Sequence, residues 1–388
     1  MKTKIVCIVT FLLLVLTALN IVIAINTVNP IQLNGQDDTE KSKRYTPEAR
    51  YGHSMVYDTE HNVFILFGGK NMAGESLDDT WAYNYRDNKW RNMNPSNKPS
   101  PRSFHSMSFD SNYGIVILFG GEAEDGYNDE TWEYDYSTNT WSKIFIIDRR
   151  HPSARKEHAM NYDDTHKITV LFGGITEDSE YSKETWYYYP SSQEWYWVWY
   201  AYPSARFGHS IANLINGNSM ILFGGYSSDG GLNDTWRFDT ENYWNLTSPQ
   251  ISPSERFGHA MEGDSVNKKF LLFGGQVEGS HNNETWIFDP NSNEWLEKYP
   301  SVSPSARSYH SLTYDSSDEV SILFGGVYEG GVSDELWFYD YYKNTWIELH
   351  PKSKSCPEFR KDILFKIDLL FESFFTDWKE MMKLLMMI

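Results

Sequence analysis

Six times along the chain a run of apolar residues is cut short by two glycines. The first is Ile65-Leu66-Phe67 before Gly68-Gly69, and the later runs stop at Gly120-Gly121, Gly173-Gly174, Gly224-Gly225, Gly274-Gly275 and Gly325-Gly326. A short continuous apolar run with a glycine stop reads as a strand buried on both faces. Further on in each unit the character alternates, as in Thr235-Trp236-Arg237-Phe238, the period of a strand with two unlike faces. A second tryptophan closes the unit, at Trp90, Trp141, Trp195, Trp244, Trp295 and Trp346. An arginine with a histidine three residues on opens it, at Arg50/His53, Arg102/His105, Arg155/His158, Arg206/His209, Arg256/His259 and Arg307/His310. Successive glycine pairs lie 52, 53, 51, 50 and 51 residues apart. A repeat of this length with four short strand signals predicts one propeller blade per copy, and so an all-β, six-bladed body.

The repeated residues have structural work to do. Glycine pairs at strand ends permit positive φ or let another chain come close. The tryptophans supply large apolar area for packing between blades. An acid stands two residues before the first tryptophan, at Asp79, Glu130, Glu184, Asp234, Glu284 and Glu335. It recurs together with the arginine, so a charge-assisted hydrogen bond inside or between blades is expected. A residue that every blade keeps is what a blade needs, and function is to be sought where the blades differ. With its glycine pair, aromatic third strand and closing tryptophan, the unit resembles the kelch repeat over residues 50–346. That resemblance implies a β-propeller for residues 50–350.

The two ends fall outside the repeat. Lys2 and Lys4 precede an uncharged apolar stretch over residues 5–25, which reads as a secretory signal cleaved after Ala24 or as an uncleaved membrane anchor. Either places the propeller outside the cytoplasm, secreted or at the cell surface. Residues 26–49 read as a linker, and a short strand near residues 31–33 could help to close the ring. Proline precedes four of the arginines, at Pro152, Pro203, Pro253 and Pro304, as suits a connector entering a strand. In residues 351–388, Ile363, Ile367, Leu370, Phe374, Trp378, Met381 and Leu385 form a helical stripe. This predicts a short C-terminal helix, docked on the propeller or able to touch a membrane or a partner.

Candidate chemistry lies on the loops between the second and third strands, which share a face with the connectors between blades. Glu122, Asp125, Tyr127, Tyr181, Tyr226, His281 and Tyr328 stand on them. With a net charge of -19, an acidic rim bearing tyrosines suits a basic partner or a solvated surface, and disfavours nucleic acid. One connector differs from the rest: Trp197, Trp199 and Tyr202 follow Trp195 and offer either a stacking platform for sugars or packing against the next blade. Three sequons begin at Asn233, Asn245 and Asn283.

Known catalytic patterns are poorly matched. The two cysteines, Cys7 and Cys356, lie outside residues 50–346, so the Tyr–Cys chemistry of copper radical oxidases with similar propellers has no thiol. Six histidines spread over six blades do not gather three or four metal ligands, and no phosphate loop or nucleophile elbow is present. No cofactor is implied. The reading is an extracytoplasmic scaffold binding a protein or glycan. The alternative is a sialidase- or epimerase-like enzyme with arginine, acid and tyrosine converging at the central mouth.

Overall fold

The computed structural model describes residues 45–146, 150–199, 202–214, 220–239 and 243–351. The leader, most of the linker with residues 31–33, and the helix expected beyond residue 351 lie outside the described residues. What is described contains strands, turns and no helix.

Six four-stranded antiparallel sheets follow one another, each with its strands paired in meander order. Blade 1 comprises Ser54–Asp58, Val63–Phe67, Thr80–Asn84 and Lys89–Asn92. The other blades open with Ser106–Asp110, Ala159–Asp163, Ser210–Asn213, Ala260–Asp264 and Ser311–Asp315. These first strands stand side by side around a central axis, with Ser311–Asp315 returning to Ser54–Asp58. The glycine-stopped runs are the second strands, where Ile65, Leu66 and Phe67 have no solvent exposure at all. Burial on both sides explains why these runs are apolar throughout while the third strands alternate.

The motif's spacing follows from what each residue touches. All six arginines are fully buried within their own blade. Arg206 donates to the carbonyl of Gly224 at 3.0 Å and, through both Nη atoms, to the Asp234 carboxylate at 2.6 and 2.8 Å. The Trp236 indole donates to the same carboxylate at 2.6 Å. The expected arginine–acid bond is thus made inside the blade. The histidine three residues later serves the seam instead. His209 sets its ring edge-on to Phe172 of the preceding blade, 5.3 Å between centroids, and its Cε1 lies where a Cβ on Gly173 would fall, 2.7 Å away. Gly173 and Gly174 also hold φ of 72° and 97°, so glycine is needed here for both space and conformation.

The closing tryptophans tie each blade to the one before. Trp141 donates to Thr80 at 3.0 Å, Trp195 to Thr131 at 2.9 Å, Trp244 to Thr185 at 3.2 Å, Trp295 to Thr235 at 3.0 Å and Trp346 to Thr285 at 3.0 Å. At the sixth seam Leu336 replaces threonine and packs in one apolar cluster with Trp90. That seam closes the ring without exchanging a strand. Arg50 N donates to Ser333 O at 3.0 Å, Gly326 N to Arg50 O at 2.9 Å, and Thr313 Oγ1 to Met55 O at 2.8 Å. A buried proline stands three residues before every arginine, Pro47 and Pro99 included, so the ring's first connector already begins within the segment read as linker.

Candidate functional site

Each connector reaches the central axis between its arginine and its histidine. There Gly52, Phe104, Glu157, Gly208, Gly258 and Tyr309 form a closed ring of backbone hydrogen bonds, each N–H donating to the carbonyl of its neighbour at 2.6–3.0 Å. The geometry requires a left-handed backbone at all six positions, with φ between 54° and 63°. Three blades meet that requirement with glycine. The other three hold Phe104, Glu157 and Tyr309 there, and bulky residues at such φ are strained and uncommon. Glycine at the neighbouring position of the ring gives side chains room: a Cβ on Gly52 would fall 2.9 Å from the Phe104 ring, and one on Gly258 3.1 Å from the Tyr309 ring.

These side chains surround a small mouth of about 150 Å³ on the loop face. Below it a channel of about 470 Å³ runs between the first strands, and His53, His158, His209, His259 and His310 line both cavities. Tyr309 donates its hydroxyl to Glu157 Oε2 at 3.1 Å. Burial pushes the Glu157 carboxyl up to about 7, against the opposing pull of that hydroxyl and of Lys156. Deeper in the channel Glu262 is buried in blade 5 and accepts from Ser321 of blade 6 at 2.5 Å; burial raises it well above the ordinary carboxylate range.

The loops expected to carry function are hairpins rather than irregular excursions. Glu122–Ala123 pairs with Gly126–Tyr127, Gln276–Val277 with Ser280–His281, and Val327–Tyr328 with Gly331–Val332. In blade 4 the second and third strands simply continue to the tip, as Met220–Ser227 and Gly230–Asp239. Tyr181 and Tyr226 lean on Phe207, with centroids 4.9 and 5.7 Å apart, and Tyr226 also meets Phe257 at 5.4 Å. Phe257 continues the aromatic wall to Tyr309 at 6.5 Å. His281 Nδ1 lies 3.2 Å from the Ser308 hydroxyl, beside Tyr309, and Tyr328 is held half-buried opposite Arg307. Asp125 is exposed at a hairpin tip.

Two expectations are corrected. Glu122 is not free acidic surface, because Lys70 donates to it at 2.9 Å and Lys156 reaches it at 3.3 Å. The same lysines lie over aromatic rings, Lys156 4.8 Å from the Tyr127 centroid and Lys70 5.6 Å from that of Phe104. The recurrent arginines cannot serve an enzyme at the mouth, since each is buried and bound to its own blade's carbonyl and acid. The aromatic connector belongs elsewhere. Trp195 is buried at a seam, whereas Trp197 is 55% and Trp199 69% exposed on and beyond the outermost strand of blade 3. Tyr202 is 65% exposed and stacks on Trp236 at 6.1 Å.

Phe104, Glu157 and Tyr309 escaped the sequence reading, although the signal was present. The residue before the motif histidine is glycine in three blades and something else in three.

A family model for the KLHDC2/KLHL20/DRC7 Kelch-repeats domain matches residues 34–212, 143–252 and 243–365, which together span most of the chain. The chain belongs to the kelch-repeat family. Kelch repeats are protein-interaction modules, and this kelch chain carries their all-β propeller. It is 26% identical over 315 residues to an F-box/kelch-repeat protein of Arabidopsis thaliana, covering 75% of this chain and 57% of that one. It is 26% identical over 201 residues to Mei4-dependent protein 6 of Schizosaccharomyces pombe, covering 46% and 29%. Over 185 residues it is 28% identical to Adagio-like protein 1 of Oryza sativa subsp. japonica, covering 44% and 28%. The chain thus spans little more than half of the first of these kelch relatives, and under a third of the other two.

Proposed function

We propose that this kelch propeller is a protein-binding scaffold whose partner docks on the loop face, over the central mouth. The observation that carries this reading is the ring of six left-handed positions. Three blades show that glycine satisfies the fold there, so Phe104, Glu157 and Tyr309 accept backbone strain for some other end. The hairpins around them present tyrosines, which give contact area at low entropic cost, and exposed acids such as Glu177, Asp178 and Asp229. The test is capture of binding proteins by the full chain, compared with a Tyr181→Ala/Tyr226→Ala variant and with Trp199→Ala. Loss in the first and retention in the second supports the reading; the reverse pattern transfers the binding surface to the outer aromatic connector.

That connector favours a second reading, because exposed Trp197, Trp199 and Tyr202 are the form a sugar-stacking platform takes. Glycan binding abolished by Trp199→Ala, with the melting temperature unchanged, would establish it. The apolar residues 5–25 motivate the companion proposal that the propeller works outside the cytoplasm, checked by the mass of the native chain in secreted and membrane fractions.

A further inference from the structure

We propose that the mouth is a recognition pocket for one cationic side chain, a lysine or arginine of the partner protein. Glu157 is its counter-ion, Phe104 and Tyr309 line the opening, and Phe207 and Phe257 continue the aromatic surface beside it. The proposal rests on the loop face being the docking surface and says what that surface selects.

The first support is charge. Among the described residues Glu157 has no ion pair; its one side-chain partner is the Tyr309 hydroxyl at 3.1 Å. The two lysines of this region, Lys70 and Lys156, are both held by Glu122. A carboxylate in a partly closed aromatic cup is costly to leave without a cation, and a cation brought by a partner removes that cost. Outside the cup the hairpin tips carry exposed Glu177, Asp178, Glu180, Asp229, Glu278 and Glu329, a field that draws in basic partners and repels acidic ones.

The second support is shape. Gly208 and Gly258 form the floor beside the carboxylate. A Cβ on Gly208 would lie 3.2 Å from Phe257 Cβ and 3.5 Å from Glu157 Oε2, so any larger residue would crowd the approach to the acid. The aromatic rings around the opening pack edge to face, at 5.4–6.5 Å. The molecule already uses such rings for cations on the other side of the mouth, where Lys156 covers Tyr127 and Lys70 covers Phe104. The mouth volume is of the order of one long side chain, which suits a single anchor residue and not a folded ligand.

The test selects peptides from a displayed random heptapeptide library against the full chain, in parallel with Glu157→Gln and Glu157→Asp. Glutamine keeps the shape and still accepts from Tyr309, whereas aspartate keeps the charge. The expected result is enrichment of lysine or arginine at one peptide position with the wild type. The selected peptides should bind Glu157→Gln about tenfold to a hundredfold more weakly, with the preference surviving in Glu157→Asp. Peptides that bind, and are lost on Tyr181→Ala/Tyr226→Ala, but show no basic position or keep their affinity for Glu157→Gln overturn the cationic pocket and leave the docking face intact. Failure to enrich any peptide sensitive to the tyrosine variant overturns both.

Discussion

Acidification should unfold this propeller by loading its six seam histidines. Each is buried against a phenylalanine of the preceding blade, with centroids 5.3–5.6 Å apart. Desolvation, and then repulsion from the blade's own arginine, holds His105 and His259 down to about 3 and the other four well below 6.5. The folded chain therefore keeps all six neutral at pH values where the unfolded chain protonates. With the folded value depressed, this contribution is complete above pH 6.5 and is lost as pH falls through 6.5 towards the folded values. By pH 5.5 His105 and His259 have each forfeited about 1.4 kcal/mol, and the other four lose stability in the same direction. Glu157 and Glu262 act with the opposite sign, because their folded values are raised and the fold binds their protons first. Between pH 7.5 and 5.5 Glu157 returns about 2 kcal/mol, and Glu262 acts in the same direction. Six depressed histidines against two raised carboxyls leave a net loss of stability on acidification. Urea titrations at pH 7.5, 6.5 and 5.5, followed by tryptophan fluorescence, measure it. A His209→Gln/His259→Gln variant removes two of the six groups and should lose about a third less of the histidine contribution. A midpoint that stays put between pH 7.5 and 5.5, or moves equally in the variant, refutes the reasoning.

Thr131→Val removes the acceptor of the buried Trp195 indole and should cost about 1–3 kcal/mol in denaturant titrations, whereas Leu336, at the corresponding place in blade 6, has no such bond to lose. Arg206→Lys should destabilise by about 3 kcal/mol despite keeping the charge, because an ammonium cannot span the Gly224 carbonyl and both oxygens of Asp234. Trp195→Ala should cost about 3–5 kcal/mol and Trp199→Ala under about 0.5, a contrast read from the two melting curves.

Much of the fold was legible because the repeat averages over six trials. A single short apolar run such as Ile65-Leu66-Phe67 could be a helix segment, but six such runs with glycine pairs at near-constant spacing leave one architecture. The division between arginine and histidine was not legible. Both recur in every blade, and only the coordinates show Arg206 turned inward to Asp234 and His209 turned across the seam to Phe172. The closing of the ring was hidden for a similar reason: the Arg50 and Gly326 backbones make the last seam, and backbone bonds leave no mark on residue type. The candidate site was read in part. Tyr181 and Tyr226 were found as loop aromatics, but Glu122 was taken as free acid because its partners, Lys70 and Lys156, come from neighbouring blades. Glu157 leaves no signal within its own blade, where it stands between the motif arginine and histidine. The informative comparison was the one position where glycine suffices in three blades and is absent from three.

The claim on which the functional account stands is that a partner covers the mouth of the loop face. Hydrogen–deuterium exchange of the full chain, with and without a captured binding protein, tests it most directly. The account predicts added protection at the connectors around Glu157, Phe207, Phe257 and Tyr309 and at the hairpins near residues 176–181 and 226–231, with the seams unchanged. Protection confined to the outer strand Glu194–Val198, or to the turns at the opposite end of the blades, would contradict it.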